Sequence, residues 1–461
     1  MNRMSSTAMR SAKVASSSGQ WRNFTPILIV ECYLSFTVLV FAFGPWPWDV
    51  RNPVTLYTYL FLVQAALLLG YLSVTTKDSR TTYTGQYSSS KLLKVSVALS
   101  FAAIIPFYYI QLGRFDLSAS GMLSQIVAGA TDPGKAYKEI LNAPRFGSHF
   151  IVLWAYVLFT PILWLSVPLG VAAWESLSLK MKAAIAFIVL ANVATWLAIG
   201  TIKGIADNAV VIVLSMLARR RKPLRIRYNF WTAADNLRRT AAIVCALSAV
   251  VFYFSYAQDS RGHGQVMYTF DKVAGISLDT QNIFIAGLPS GMQSAVGRGS
   301  SYLTQGYYGL SLALDEPFQW TYGVGHSLFF SGILSHMTGI DATNLTYPAR
   351  LEVHSGWNMD TRWDSVYPWW ASDVTFPGTL IILFLIGQLL AATWIDVQLG
   401  ENPYALPLFA LTVIMIFYFP VDDHILSTPS TVWAFWGLLL LWRSTRRTIG
   451  RGWSGTGIGR G

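Results

Sequence analysis

The chain has 461 residues, 53% of them hydrophobic and only 12% charged, with a mean hydropathy of +0.42. Soluble domains carry about 25% charged residues, so half that value excludes most soluble folds, and the high apolar fraction excludes disorder. The formal charge of +11 raises nucleic acid as a partner, and the two cysteines, Cys32 and Cys245, both lie in apolar runs, which argues against a disulfide framework.

A bilayer core takes about 20 apolar residues per helix. In chain order, a polar leader over 1–23 carries four basic residues and no acid, as a cytoplasmic leader does. Candidate spans follow at 24–43, 53–75, 93–112, 149–173, 182–200, 202–218 and 240–257. No small-residue cleavage site follows the first span clearly, so it is expected to stay as an anchor. The segment 113–148 holds one expected surface helix, begun at Asp132-Pro133. After the seventh span comes a loop of 118 residues, 258–375. Three more spans, at 376–395, 404–421 and 430–442, complete a second membrane block over 376–445, and a Gly-rich tail covers 446–461. The sequence therefore predicts an all-α, polytopic integral membrane protein with about ten transmembrane helices and one large, helical outer loop.

Basic residues mark cytoplasmic loops. With the N-terminus inside, the inner segments hold 23 of the 34 Lys and Arg residues, including the run Arg219, Arg220, Arg221, Lys222, and all six histidines fall outside. Both termini are thus expected in the cytoplasm. The basic excess faces anionic inner-leaflet lipid, which accounts for the charge without nucleic acid.

A loop of 118 residues is far longer than a connection needs, and such loops are usually functional. Its many aromatic residues predict a folded cap over the outer mouth of the bundle, with the aromatic, Gly-interrupted stretch Tyr302–Leu314 lying at the membrane interface. The loop also mixes arginine, histidine and acids, which suits a reaction on an anionic substrate. A diphosphate leaving group needs fixed positive charge, and the guanidinium fork fits phosphate oxygens. Arg261, in DSRGHG beside the seventh span, and Arg298, between two glycines in VGRGS, are the candidates for that role. Each has a plainer reading, an interface arginine and an exposed turn respectively. A hydroxyl nucleophile needs a base. His326 in YGVGHS and Asp373 in WWASDVTFPG are the candidates, with helix capping the alternative for Asp373.

Substrate-binding candidates are Arg362, Trp363, Asp364, Tyr367, Trp369 and Trp370 in DTRWDSVYPWW. The tryptophans would offer flat faces to sugar rings or else anchor the interface, and Arg362 and Asp364 would contact substrate or pair with each other. Lys203 and Asp207 stand four apart at the start of the sixth span, on one helix face, where ionisable residues mark function or a mutual pair. Asp422, Asp423 and His424 face outward after the ninth span; they could hold a divalent cation, but adjacent acids are usually only solvated. No metal site and no cofactor is expected. The absence of a G-x-x-x-x-G-K-[ST] loop argues against direct use of ATP, and the absence of H-E-x-x-H against a zinc protease.

Three segments carry a resemblance. SYLTQGYYGLSLALDEPFQWTYGVGHS (301–327) resembles the large periplasmic loop of bacterial oligosaccharide repeat-unit polymerases, the O-antigen polymerase family. DSVYPWWASDVTFPGT (364–379) is similar to that family's passage from loop into membrane, and IGTIKGIAD (199–207) to its sixth-span signature. Together the pieces cover about 190–380. The resemblance implies a GT-C-like glycosyltransferase of the bacterial inner membrane. It would polymerise glycans carried on undecaprenyl diphosphate at the periplasmic face, alongside membrane lipids and the pathway's flippase and chain-length regulator. The family's functional arginines correspond by position to Arg261 and Arg298. An O-antigen ligase-like enzyme, or a transporter of lipid-linked sugars, is the alternative.

Overall fold

The computed structural model describes residues 6–75, 81–83, 89–112, 118–141, 150–219, 253, 256, 257, 260, 274–400 and 402–448. Helices make up nearly all of the regular structure. α1 (Ser6–Phe43) turns apolar from Asn23 onward, and α2 (Pro53–Thr75) follows. α3 (Ser89–Ala102) and α4 (Ile104–Leu112) meet at a bend of 43°. Pro106, in the first turn of α4, has no N–H to offer the carbonyl one turn back, which is a common cause of such a break. α5 (Ala119–Thr131), α6 (Pro133–Leu141), α7 (Phe150–Leu163), α8 (Ser166–Ala172), α9 (Leu179–Ala198) and α10 (Lys203–Arg219) complete the first block. The second contains α11 (Ser290–Ala313), α12 (Leu328–Thr338), α13 (Tyr347–Ser355), α14 (Val366–Leu399), α15 (Ala405–Phe417) and α16 (Pro429–Thr445). The exception among the described residues is a ribbon of two three-residue strands, β1 (Thr81–Tyr83) paired antiparallel with β2 (Arg446–Thr448).

Among the described residues, five helical stretches are long and apolar enough to cross a membrane: Asn23–Phe43, Pro53–Thr75, Val152–Ala172, Leu179–Ala198 and Val366–Leu399. The bent α3–α4 pair makes six if counted as one span. These coincide with six of the ten expected spans. The expected spans at 202–218, 404–421 and 430–442 fall on α10, α15 and α16, which have 17, 13 and 17 residues. The span expected at 240–257 lies almost wholly outside the described residues. Large apolar side chains such as Ile29, Phe36, Phe61 and Leu190 are exposed along the long helices. In water that surface would be costly, and in lipid it is the ordinary outer face of a span.

Connections gather at two ends. At one, the turn after α1 docks on the large loop: the Trp46 indole N–H donates to the Gly297 carbonyl (2.8 Å) and the Asp279 amide to the Pro45 carbonyl (2.8 Å). The segment that enters α14 meets the α15–α16 connection there, the Ser365 and Val366 amides donating to Val421 and Phe419 (2.9 and 3.0 Å). At the other end β1 pairs with β2, and the Asn402 amide donates to the Thr445 hydroxyl (3.0 Å).

Three details differ from the sequence reading. Residues 118–141 form two helices rather than one. α6 does begin at Pro133, capped by the Asp132 carboxylate on the Lys135 amide (3.0 Å), but α5 precedes it and packs on α9. Gly129 makes that packing close, because a Cβ there would stand 2.3 Å from the Leu197 carbonyl oxygen. Second, Tyr302–Leu314 is no interface segment. It is the second half of α11, packed against α1 with Tyr307, Leu310 and Ala313 fully buried. Gly306 and Gly309 let the backbones approach there: a Cβ on Gly306 would lie 2.2 Å from the Pro420 carbonyl oxygen. Third, helix starts at Val366, before the expected membrane entry, and breaks at Thr375 (φ 66°), two residues before Pro377.

Candidate functional site

The turn Thr321–His326 folds back on the first part of α14. Tyr322 and Gly323 both have positive φ (59° and 76°), and Gly325 lies so close to Thr321 that a Cβ would come within 2.3 Å of its hydroxyl. This tight turn points its donors at one carboxylate. Asp373 Oδ1 accepts from the Gly325 amide (2.8 Å) and the Thr321 hydroxyl. Oδ2 accepts from the His326 amide (2.8 Å) and stands 2.7 Å from His326 Nδ1. The chain then leaves the turn into α12, capped by Ser327. Asp373 therefore does not cap its own helix. It fixes the imidazole, and as an acceptor it places a ring proton on Nδ1, so that in the neutral ring the lone pair is on Nε2. The carboxylate is 7% exposed and the imidazole 23%, so the pair is sheltered and the ring remains reachable.

His326, Asp373, Gly323 and Trp370 line one end of a cavity of about 890 Å³. Its walls continue along α14 through Ile386 and Leu389 and along α16 through Phe435 and Leu439. A polar acid–base pair thus stands at the head of a long apolar channel, which suits an amphiphile better than a water-soluble molecule.

A second polar group adjoins the first. The α15–α16 connection carries Asp422, Asp423 and His424, for which solvation is the usual expectation from sequence. The structure corrects this: Asp423 is 2% exposed and accepts from the Trp370 indole (2.9 Å) and the Leu426 amide (3.0 Å), while Asp422 accepts from the Trp369 indole (2.6 Å). Burial pushes the Asp422 carboxyl up to about 7 and Asp423 up to about 6. Burial, with the Lys203 charge adding to it, holds the His424 imidazole well below its usual range, so it is neutral. Burial, then the nearby Asp422, raises Asp364 well above the carboxylate range. The signal in the sequence was available. Two adjacent tryptophans need acceptors for their indole N–H groups once buried, and the Asp pair sits between apolar runs, YFPV and IL.

The other expected site residues divide. Lys203 and Asp207 share one face of α10 and line a smaller cavity of about 160 Å³. There Asp207 accepts from the Tyr418 hydroxyl (3.1 Å), and the Lys203 ammonium stands 6.0 Å from the centre of the Tyr418 ring. Trp363 is half-buried between Tyr302 (5.5 Å between ring centres) and His424 (5.4 Å). Arg362 lies over the Trp357 ring (5.5 Å), and Asp364 is 1% exposed.

Several expectations fail. Tyr367 and Trp369 are enclosed in the core, Tyr367 edge-on to Tyr59, so neither offers a face to a sugar. Trp370 forms cavity wall but is 1% exposed, its N–H held by Asp423. Arg298 is in no turn. It is buried within α11, donating to the Ser294 hydroxyl (2.9 Å), and it does not line the 890 Å³ cavity. The reason is local: Gly297, one of the two glycines that suggested a loop, instead lets α11 pack closely against Leu278. Arg261 lies outside the described residues. Among the described residues no group of three or more His, Cys, Asp or Glu is arranged to hold a metal ion. No family model, curated protein or solved structure matches the chain.

Proposed function

We propose that the chain is a ten-span, GT-C-like glycosyltransferase of the bacterial inner membrane, with both termini cytoplasmic. In this reading it polymerises oligosaccharide repeat units carried on undecaprenyl diphosphate. The observation that carries the reading is the Asp373–His326 pair at the head of an apolar cavity among membrane-length helices. The reaction joins two lipid-linked glycans. His326 Nε2 takes the proton from a hydroxyl of the acceptor sugar as that oxygen attacks the anomeric carbon of the donor. The bond from that carbon to the diphosphate breaks, and undecaprenyl diphosphate departs with the electron pair. Asp373 holds the imidazole in the required tautomer and offsets the positive charge it gains. The polyprenyl tail lies against the upper cavity wall and passes between α14 and α16 into the bilayer.

The glycosyl diphosphate bond supplies the free energy, in keeping with the missing nucleotide motifs. Of the two candidate arginines, Arg261 keeps the role of gripping the diphosphate. Arg298 loses it, because it is buried away from the cavity. The experiment is reconstitution of the purified chain in proteoliposomes with a lipid-linked repeat unit. A ladder of products supports the polymerase, transfer of one glycan to a different lipid supports a ligase, and translocation without bond formation supports a transporter.

A further inference from the structure

The 890 Å³ cavity has a second end. Away from His326 it runs past Leu385 and Trp436 to Arg443 and Arg446. Leu385 and Trp436 are 55% and 41% exposed, so this stretch is a groove open sideways along the apolar surface of α14 and α16. The two arginines differ. Arg446 is fixed, its Nε 3.2 Å from Asp396 Oδ2 and its guanidinium 4.9 Å from the centre of the Trp442 ring. Asp396, fully buried, also accepts from the Trp442 indole (2.7 Å). Arg443, in the last turn of α16, is exposed and has no acid against it among the described residues. Two guanidinium groups against one carboxylate leave a net positive charge at the foot of a long apolar wall. That pattern complements a lipid with an anionic headgroup. Acyl chains gain from the wall, and the phosphate gains from a cation that cannot lose its charge.

We propose that the Arg443 end of the groove binds an anionic phospholipid, its acyl chains along α14 and α16 and its phosphate on Arg443. In the orientation proposed above this is an inner-leaflet lipid. The site is independent of the chemistry assigned to His326 and stands if that assignment fails.

The test mixes the purified full chain with equal amounts of phosphatidylglycerol and phosphatidylcholine of identical acyl chains. The lipid retained is then counted by native mass spectrometry. The expected result is preferential retention of phosphatidylglycerol. Arg443→Gln should cut that preference about fivefold while leaving phosphatidylcholine unchanged. Leu385→Trp, which fills the groove at an exposed position, should lower retention of both. Equal retention of the two lipids by the wild-type chain overturns the proposal, as does an undiminished preference in Arg443→Gln. A wild-type lipid load in Leu385→Trp also overturns it, since the lipid then sits elsewhere.

Discussion

Asp373 Oδ2 stands 2.7 Å from Nδ1 of His326, a residue 47 positions earlier, and the same oxygen accepts the His326 backbone amide at 2.8 Å. One carboxylate thus fixes both the ring and the main chain that carries it. The turn at Thr321–Gly325 supplies the remaining donors, so the carboxylate has little freedom to rotate.

Asp373→Asn keeps the shape but can present its amide N–H₂ to Nδ1, which favours the wrong tautomer. We expect glycan joining to fall ~10²–10⁴-fold with the affinity for the lipid-linked substrate little changed. Initial rates and substrate binding measured on the same reconstituted sample check this. A large loss of binding with unchanged turnover of the bound fraction would assign Asp373 to substrate affinity instead.

The buried acids of the α15–α16 connection make stability depend on pH. Asp422 titrates near 7 and Asp423 near 6 in the folded chain, against 3.8 for the ordinary carboxyl. The folded state therefore binds more protons than the unfolded state between about pH 4 and 7. Their stabilising contribution is full below the unfolded value and is lost as pH rises through the folded values. Thermal unfolding followed by tryptophan fluorescence should give a higher midpoint at pH 5 than at pH 8. Asp422→Asn cannot ionise in either state, so it should raise the midpoint at both pH values, by clearly more at pH 8 than at pH 5. A pH-independent gain, or none, contradicts the assignment.

Trp370→Phe removes the donor that satisfies Asp423. The buried carboxyl then loses a hydrogen bond at the cavity wall, at a cost of about 1–3 kcal/mol. The Asp423→Asn and Trp370→Phe double variant should recover part of that loss, because Asn carries no charge to strand. Midpoints of the four proteins measured together form the cycle.

The close approach at α11 separates two glycines on one helix. Gly306→Ala would place its Cβ 2.2 Å from the Pro420 carbonyl oxygen, whereas Gly299 has open space in that direction. We expect Gly306→Ala to destabilise by about 1–3 kcal/mol. Gly299→Ala should stabilise by about 0.5–1 kcal/mol through helix propensity. Detergent melting of both variants distinguishes packing from propensity.

The sequence made the long apolar helices legible, since a run such as 53–75 has no other stable form in lipid. It also showed the membrane-spanning part of α14, expected at 376–395, but not the turns of helix that precede it from Val366 to the break at Thr375. It did not show α11, whose Gly and Ser content lowers its hydropathy although its second half is buried. The same glycines, read locally, made Arg298 look like a loop residue. His326 and Asp373 were each visible as candidate bases, but their division into base and orienting carboxylate depends on a contact that no spacing encodes. Asp422 and Asp423 were misread because adjacent acids are ordinarily solvated. The paired tryptophans and the flanking apolar runs carried the signal, and the burial of Trp369 and Trp370 makes the acids their acceptors.

The central claim is that His326 takes the proton from the attacking hydroxyl. The most direct measurement compares wild-type and His326→Gln chains in proteoliposomes loaded with a labelled lipid-linked repeat unit. The products are resolved by size and substrate binding is scored in parallel. The account predicts a ladder from the wild-type chain and bound but unjoined substrate with His326→Gln. A ladder of normal length and rate from His326→Gln would contradict it.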